Sequence, residues 1–239
     1  MPEHSINTQP KENILLYGIA LGVFAILLVL RENTSYSHIY DVLPVMGRTL
    51  PYVALTSLLV IAFKMNGHHV RDIGLRLPDW NVSKSKMVML IIGAALLILI
   101  ARFVTAIPVS LLMNHMDILA SRLGQTGQLS GNLPLLLMIL PVMWIAVVSE
   151  ELLIRGFLMN TLARVFGDTR KGWIYAIIGS AIIFGIGHFP QGLRGVIGAG
   201  VGGLVYGTAY YLAGRSLVPG IIAHAGVNTV GFIAAYSEV

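Results

Sequence analysis

The sequence contains no cysteine, which excludes disulfide bonds, thiolate nucleophiles and cysteine-ligated metals. Charged side chains are also scarce: Asp, Glu, Lys and Arg make up 11% of the 239 residues, whereas a soluble domain carries about 25%. Because 56% of the residues are hydrophobic, most of the chain cannot face water. The composition therefore predicts an integral membrane protein, long enough for roughly six to eight helical spans.

The net charge of +5 would suggest nucleic-acid binding in a soluble protein. Here the basic residues lie between apolar runs, so membrane topology explains them better, and we expect no nucleic-acid partner. The first apolar run ends at Leu30 without a small-residue cleavage site. We therefore expect a retained anchor rather than a cleaved signal peptide.

Seven apolar runs predict an all-α fold, a multi-pass transmembrane helix bundle with about seven spans, and leave an eighth span open. The runs are Ile14–Leu30, Leu50–Phe63, Met87–Met113, Leu133–Leu158, Trp173–Phe189, Gly195–Leu212 and Leu217–Tyr236. We divide the chain into two parts. Residues 1–130 would form N-terminal transmembrane helices with a basic cytoplasmic loop, and residues 131–239 a catalytic transmembrane core.

The basic residues also orient this bundle. If the N-terminus is cytoplasmic, the inner segments hold the larger basic set: Lys11, Lys64, Arg71, Arg76, Lys84, Lys86, Arg164, Arg170, Lys171 and Arg215. The outer segments then hold at most Arg31, Arg48, Arg122 and Arg194. The positive-inside rule therefore predicts a multi-pass protein of the cell membrane with a cytoplasmic N-terminus.

Two adjacent acids, Glu150 and Glu151, interrupt the apolar run Leu133–Leu158. An ionisable group inside a bilayer costs about 2.5–3.5 kcal/mol on insertion scales, so such residues indicate function by default. Glu151 and Arg155 are four residues apart on one helix face, where they can pair. Glu150 lies about 100° around the helix and is left unpaired, which suits general acid/base chemistry. The alternative is a polar helix end at the cytoplasmic surface.

Two later helices each carry a polar pair at i,i+4 spacing. Phe184 and His188 lie at the end of the Trp173 run, and His224 and Asn228 lie inside the last run. Taken singly, the first pair also fits an interfacial histidine, and the second also fits hydrogen bonding between helices. Each pair alone therefore leaves its function open.

The turn between two of these helices predicts the relative depth of their polar residues in the bundle. Glu150 lies 19 residues before Thr169, and His188 lies 19 residues after it. In an antiparallel hairpin, equal distances from the turn place residues at equal depth. We therefore expect Glu150 and His188 to face each other inside the bundle.

Small residues recur at every fourth position of the run between His188 and His224, and such a stripe lets helices approach closely. The stripe consists of Gly195, Ala199, Gly203 and Gly207. The stretch Gly198–Gly203 matches G-x-G-x-x-G, but no strand precedes it, so a dinucleotide site is not expected. Arg102 is a further charge expected to face the bundle, and the sequence offers no partner for it.

Together these motifs resemble the signature of the CPBP intramembrane proteases, also called the CAAX protease and bacteriocin-processing family or the Abi family. The matching motifs are Glu150-Glu151-x-x-x-Arg155, Phe184-x-x-x-His188 and His224-x-x-x-Asn228. The resemblance covers roughly residues 134–236, and Asp72–Arg76 is similar to a stretch ahead of the family's conserved region. In bacteria some members are linked to bacteriocin processing or self-immunity.

The resemblance implies an intramembrane endopeptidase that hydrolyses a peptide bond in a membrane-associated or lipidated peptide or protein substrate. Glu150 would be the main acid/base group, and His188 would help to activate the water. His224 and Asn228 would bind a metal or stabilise the oxyanion. The supporting residues would be Glu151, Arg155 and Phe184.

The residues leave the cofactor open. His188, His224 and Glu150 are the donor types of a known catalytic zinc set, whereas a glutamate-activated water would use the same residues without a divalent metal. No H-E-x-x-H motif is present, and we favour the metal-free chemistry. Two other classes of function compete with the protease: a non-catalytic immunity or scaffold protein on the same fold, and a transporter with proton-coupled carboxylates, for which no inverted repeat is found.

Overall fold

The computed structural model describes residues 44–65, 67, 69–116 and 129–237. Every regular element in these ranges is helical, and they contain no strand, which confirms the predicted all-α class. The elements are α1 Pro44–Met65, α2 Lys84–His115, α3 Leu133–Glu151, a π-helical segment Leu152–Met159, α4 Asn160–Val165, α5 Arg170–Ile186, a 3-10 turn Phe189–Gln191, α6 Gly192–Leu212 and α7 Val218–Ser237.

The apolar runs from residue 50 onward coincide with these helices, while Ile14–Leu30 lies outside the described residues. Three described helices are long and apolar enough to cross a bilayer, judged by length and composition: α2, the continuous helix Leu133–Val165 and α7. The structure therefore supports a membrane protein. The count of seven spans, the cytoplasmic N-terminus and the division at residue 130 stay predictions.

Side-chain caps fix where several helices begin. Ser83, Asn132 and Thr169 precede α2, α3 and α5, and each side chain accepts a hydrogen bond from a backbone N–H in the first turn. Such caps satisfy donors that have no partner within the helix. Helix α2 continues through Pro108, so this proline does not divide the long apolar run.

The outer face of α2 is apolar and exposed along its length. Leu97, Val104, Ile107 and Leu111 are all more than half exposed. A continuous apolar surface of this kind marks a membrane-facing side. The inner face of α2 packs against α6 and α7, so the helix lies between lipid and the helices of the predicted catalytic core.

Helices α5 and α6 form the most extensive contact between described elements. A Cβ at Gly203 would lie 2.9 Å from Ala181 Cα, and a Cβ at Gly185 would lie 2.7 Å from the carbonyl oxygen of Val196. Only glycine permits this approach. The predicted small-residue stripe thus packs α6 against the helix that leads to His188.

The loop before α2 joins two distant parts of the core. The Ile73 carbonyl oxygen lies 2.8 Å from where a Cβ of Gly156 would be, and Gly74 adopts a positive φ of 89° against the Arg215 carbonyl. The Leu217 N–H donates a hydrogen bond to the Gly74 carbonyl at 2.9 Å. This loop therefore connects the π segment to the turn between α6 and α7.

Candidate active site

The helix that carries the two glutamates changes its hydrogen-bond pattern directly after them. Residues Leu152–Met159 form a π-helical segment that is buried throughout. Asn160 supports it, because its side-chain amide donates to the carbonyls of Arg155 and Gly156 at 3.0 and 2.7 Å and to the Tyr210 hydroxyl at 2.7 Å. Sequence reasoning missed this segment, although π-helical turns are frequent at functional sites. An asparagine inside an apolar helix is the signal that could have indicated it.

The side chains of Glu151 and Arg155 form the predicted ion pair in the interior. The guanidinium donates to Glu151 Oε1 at 3.0 Å, and the two side chains are 1% and 0% exposed. A buried pair of this kind is stable only when further contacts satisfy both charges. Glu151 meets this condition because the same oxygen is 2.8 Å from Nδ1 of His224.

Two aromatic rings enclose the Arg155 guanidinium. Its Cζ atom lies 4.6 Å from the centre of the Phe184 ring and 5.4 Å from that of Tyr206. Two of its nitrogens, Nε and Nη2, have no hydrogen-bond partner in the described part of the chain. Cation–π attraction thus replaces some of the hydrogen bonding. Phe184 contacts the supporting arginine, and Tyr206 is a site residue that sequence reasoning did not find.

His224 links the two glutamates. A carboxylate only accepts hydrogen bonds, so Nδ1 of His224 carries the proton shared with Glu151. The other ring nitrogen, Nε2, lies 3.9 Å from Glu150 Oε2. The Tyr206 ring stacks on the imidazole at 4.7 Å between centroids and 21° between planes. Glu151 and Tyr206 therefore fix the ring so that Nε2 is directed towards Glu150.

Glu150 and His188 line one small cleft, as their equal distance from the turn predicted. The cleft has room for about one water molecule, and its other lining residues are apolar or glycine: Leu153, Ile154, Ile183, Phe184 and Gly187. The Glu150 side chain is 21% exposed, in contrast to its buried neighbour. The Phe184 carbonyl lies 2.8 Å from His188 Nδ1, and a carbonyl only accepts. Nδ1 therefore carries the proton of this hydrogen bond, and Nε2 is the ring nitrogen that can accept from a water molecule when the imidazole is neutral.

The remaining predicted residues are less closely joined to this cleft. Asn228 lies one turn beyond His224 on α7 and is half-buried, and its role stays a prediction.

Within the described residues, no three His, Asp or Glu side chains converge closely enough to hold a metal ion. The candidate zinc set of His188, His224 and Glu150 is therefore not assembled in this arrangement.

This geometry can be compared with known families. Residues 132–230 match the family described as type II CAAX prenyl endopeptidase Rce1-like. This segment is similar to a CAAX protease domain. The resemblance drawn from the three motifs is thereby confirmed, and the CAAX protease match supports a membrane-located protease. Neither the curated proteins nor the solved structures contain a match to the chain.

Proposed function

We propose that the protein is an intramembrane endopeptidase in which Glu150 activates the water that attacks the peptide bond. One observation carries this proposal: Glu151 is paired with Arg155 and hydrogen-bonded to His224, whereas its neighbour Glu150 lines a water-sized cleft with His188. Two adjacent carboxylates in such different surroundings are suited to different roles. Glu150 is the reactive group and Glu151 the structural one.

The two hydrogen-bond acceptors in the cleft, Glu150 and Nε2 of His188, determine how the water is held for reaction. A water molecule donates hydrogen bonds to Glu150 and to Nε2 of His188, which orient it. Its oxygen bonds to the peptide carbonyl carbon while its proton moves to Glu150. The tetrahedral intermediate breaks its C–N bond, and Glu150 returns the proton to the leaving amine. The products are a new carboxyl terminus and a new amino terminus.

The developing oxyanion needs hydrogen-bond donors close to the scissile carbonyl. Nδ1 of His224 is engaged by Glu151, so the ring acts through Nε2, which donates when the imidazole is protonated. Asn228, one turn along the same helix, supplies a second donor through its side-chain amide. Arg155 does not act on substrate in this scheme, because it lies between Phe184 and Tyr206 and holds Glu151.

The substrate class follows from the family match alone. We expect a membrane-associated peptide, and a farnesylated peptide ending in a cysteine-aliphatic-aliphatic-X sequence is the first probe. Purified protein in lipid nanodiscs should release the C-terminal tripeptide, detected by mass spectrometry. Glu150→Gln should lower kcat/KM by about 10²–10⁴-fold, the usual contribution of general acid/base catalysis.

Thermal unfolding of Glu150→Gln controls for folding, since its side chain is partly exposed and unfolding should be little changed. Comparison of membrane peptides from cells with wild-type protein and with Glu150→Ala extends the test to unknown substrates. An uncleaved precursor should accumulate in the variant. Wild-type activity in Glu150→Gln would contradict the mechanism, and an unaltered peptide profile with an intact cellular phenotype would favour the non-catalytic immunity or scaffold role.

A further inference from the structure

A second arginine approaches the site from outside the matched segment. Arg102 lies in the middle of α2, a helix apolar enough to cross a bilayer, where an arginine costs about 2.5–3.5 kcal/mol on insertion scales. Its side chain is half-buried and donates to the backbone carbonyl of Gly198 at 3.1 Å. No Asp or Glu side chain of the described residues forms an ion pair with it.

Helix α6 leaves space for this guanidinium. A Cβ at Gly202 would lie 2.8 Å from Arg102 Nε, closer than real Cβ contacts allow, and 3.4 Å from Cζ. The neighbouring Gly203 faces α5 instead, at Ala181. The two adjacent glycines therefore make room for different neighbours. Gly203 lets α6 pack closely against α5, and Gly202 lets the Arg102 side chain cross α6.

The Arg102 side chain extends across α6 towards Tyr206, which contacts His224 of the active site. The guanidinium lies against Gly202, one helical turn before Tyr206 on α6, and the buried Tyr206 hydroxyl has no hydrogen-bond partner among the described residues. The Tyr206 ring stacks on His224. Behind the imidazole, a cation and a hydroxyl therefore lie close together, and no Asp or Glu side chain of the described residues forms an ion pair with the cation.

We propose that Arg102 and Tyr206 form a subsite for a carboxylate of the peptide substrate, its free C-terminus. Guanidinium groups bind carboxylates with paired, charge-assisted hydrogen bonds, and the substrate would supply the carboxylate that the described residues do not place beside Arg102. The subsite selects peptides whose C-terminus lies near the cleaved bond. This inference rests on the proposed endopeptidase function, and it assigns a specificity residue outside residues 132–230.

Binding to an inactive protein tests the subsite separately from cleavage. Glu150→Gln protein in nanodiscs of zwitterionic lipid is titrated with a labelled farnesylated peptide, either as the free acid or as the C-terminal amide. The acid should bind about tenfold or more tightly than the amide, the value of hydrogen bonds to a charged group. Adding Arg102→Gln should remove this preference and leave amide binding unchanged.

Two glycine variants refine the test. Gly202→Ala should also remove the acid preference, because the added methyl group displaces the guanidinium. Gly93→Ala, on α2 where a Cβ would meet no atom within 4 Å, should retain it. Equal binding of acid and amide, no binding of either, or an equal loss of both in Arg102→Gln would overturn the subsite.

Anionic lipid distinguishes the two negatively charged ligands that Arg102 could bind, the peptide carboxylate and a lipid headgroup. Adding it to the nanodiscs should leave the acid preference unchanged, and loss of the preference would assign Arg102 to lipid headgroups instead. Failure of the proposed function would be recognised by a different result: either the wild-type protein does not cleave the peptide, or cleavage survives Glu150→Gln.

Discussion

Arg155 and Arg102 are both cations inside apolar helices, yet their surroundings differ. Arg155 is fully buried, paired with Glu151 and enclosed by Phe184 and Tyr206. Arg102 is half-buried, and the described residues give it a backbone carbonyl but no carboxylate. The difference separates a charge that is neutralised within the site from one that has no acidic partner among the described residues. Pairing and burial distinguish the two roles, while residue type does not.

Removing Arg155 should give the largest loss of stability. Arg155→Gln leaves the Glu151 carboxylate buried with only His224 as partner, and breaking a buried ion pair costs about 3–5 kcal/mol. Unfolding in mixed micelles, followed by tryptophan fluorescence, would measure the loss. The double variant Glu151→Gln with Arg155→Gln should lose less than the sum of the single variants. Strict additivity would show that the two side chains are not coupled.

An intermediate effect is expected for the support of the π segment. Asn160→Ala leaves the carbonyls of Arg155 and Gly156 without the amide donor, and each buried group left unsatisfied costs about 1–3 kcal/mol. The same unfolding measurement applies. Thr161→Val is the matched control: it removes only a hydroxyl bound to the Phe157 carbonyl, and such a bond in a membrane helix contributes about 0.6 kcal/mol. If the two variants lose equal stability, Asn160 has no special role.

The smallest effect on stability is expected for Arg102. Arg102→Gln removes a cation without leaving a described carboxylate unpaired, so the free energy of unfolding should change by about 0.5–1.5 kcal/mol, the value of one hydrogen bond. The measurement is the one used for Arg155→Gln. A loss as large as that of Arg155→Gln would remove the contrast between the two arginines and would make Arg102 a structural residue.

Spacing along the chain predicted those parts of the site that depend on a single helix or a single turn. The Glu151–Arg155 pair follows from four-residue spacing, and the shared cleft of Glu150 and His188 follows from equal distances to the turn. The hydrogen bond between His224 and Glu151 and the stacking of Tyr206 were not predictable, because they depend on how α6 and α7 pack against α3. The sequence placed Arg102 facing the bundle but gave no partner for it, since that partner is a backbone carbonyl.

The positions of the helices were predictable from the sequence, but the hydrogen-bond pattern within them was not. Apolar runs indicated their positions well, because burial in lipid requires continuous apolar segments. The π segment was not foreseen, because its residues are as apolar as those of an α-helix and its wider turn depends on Asn160, Tyr210 and the loop at Ile73. Apolar residues therefore place a helix along the chain without defining its hydrogen-bond pattern.

The division of roles between the adjacent glutamates is tested most directly by comparing Glu150→Gln and Glu151→Gln in one set of measurements. Peptide cleavage and the free energy of unfolding are determined for both. Glu150→Gln should lose about 10²–10⁴-fold in kcat/KM while its stability changes by less than about 1 kcal/mol. Glu151→Gln should instead lose about 3–5 kcal/mol of stability, because it breaks the buried ion pair. The opposite pattern, with an active Glu150→Gln or a fully stable Glu151→Gln, would contradict the assignment.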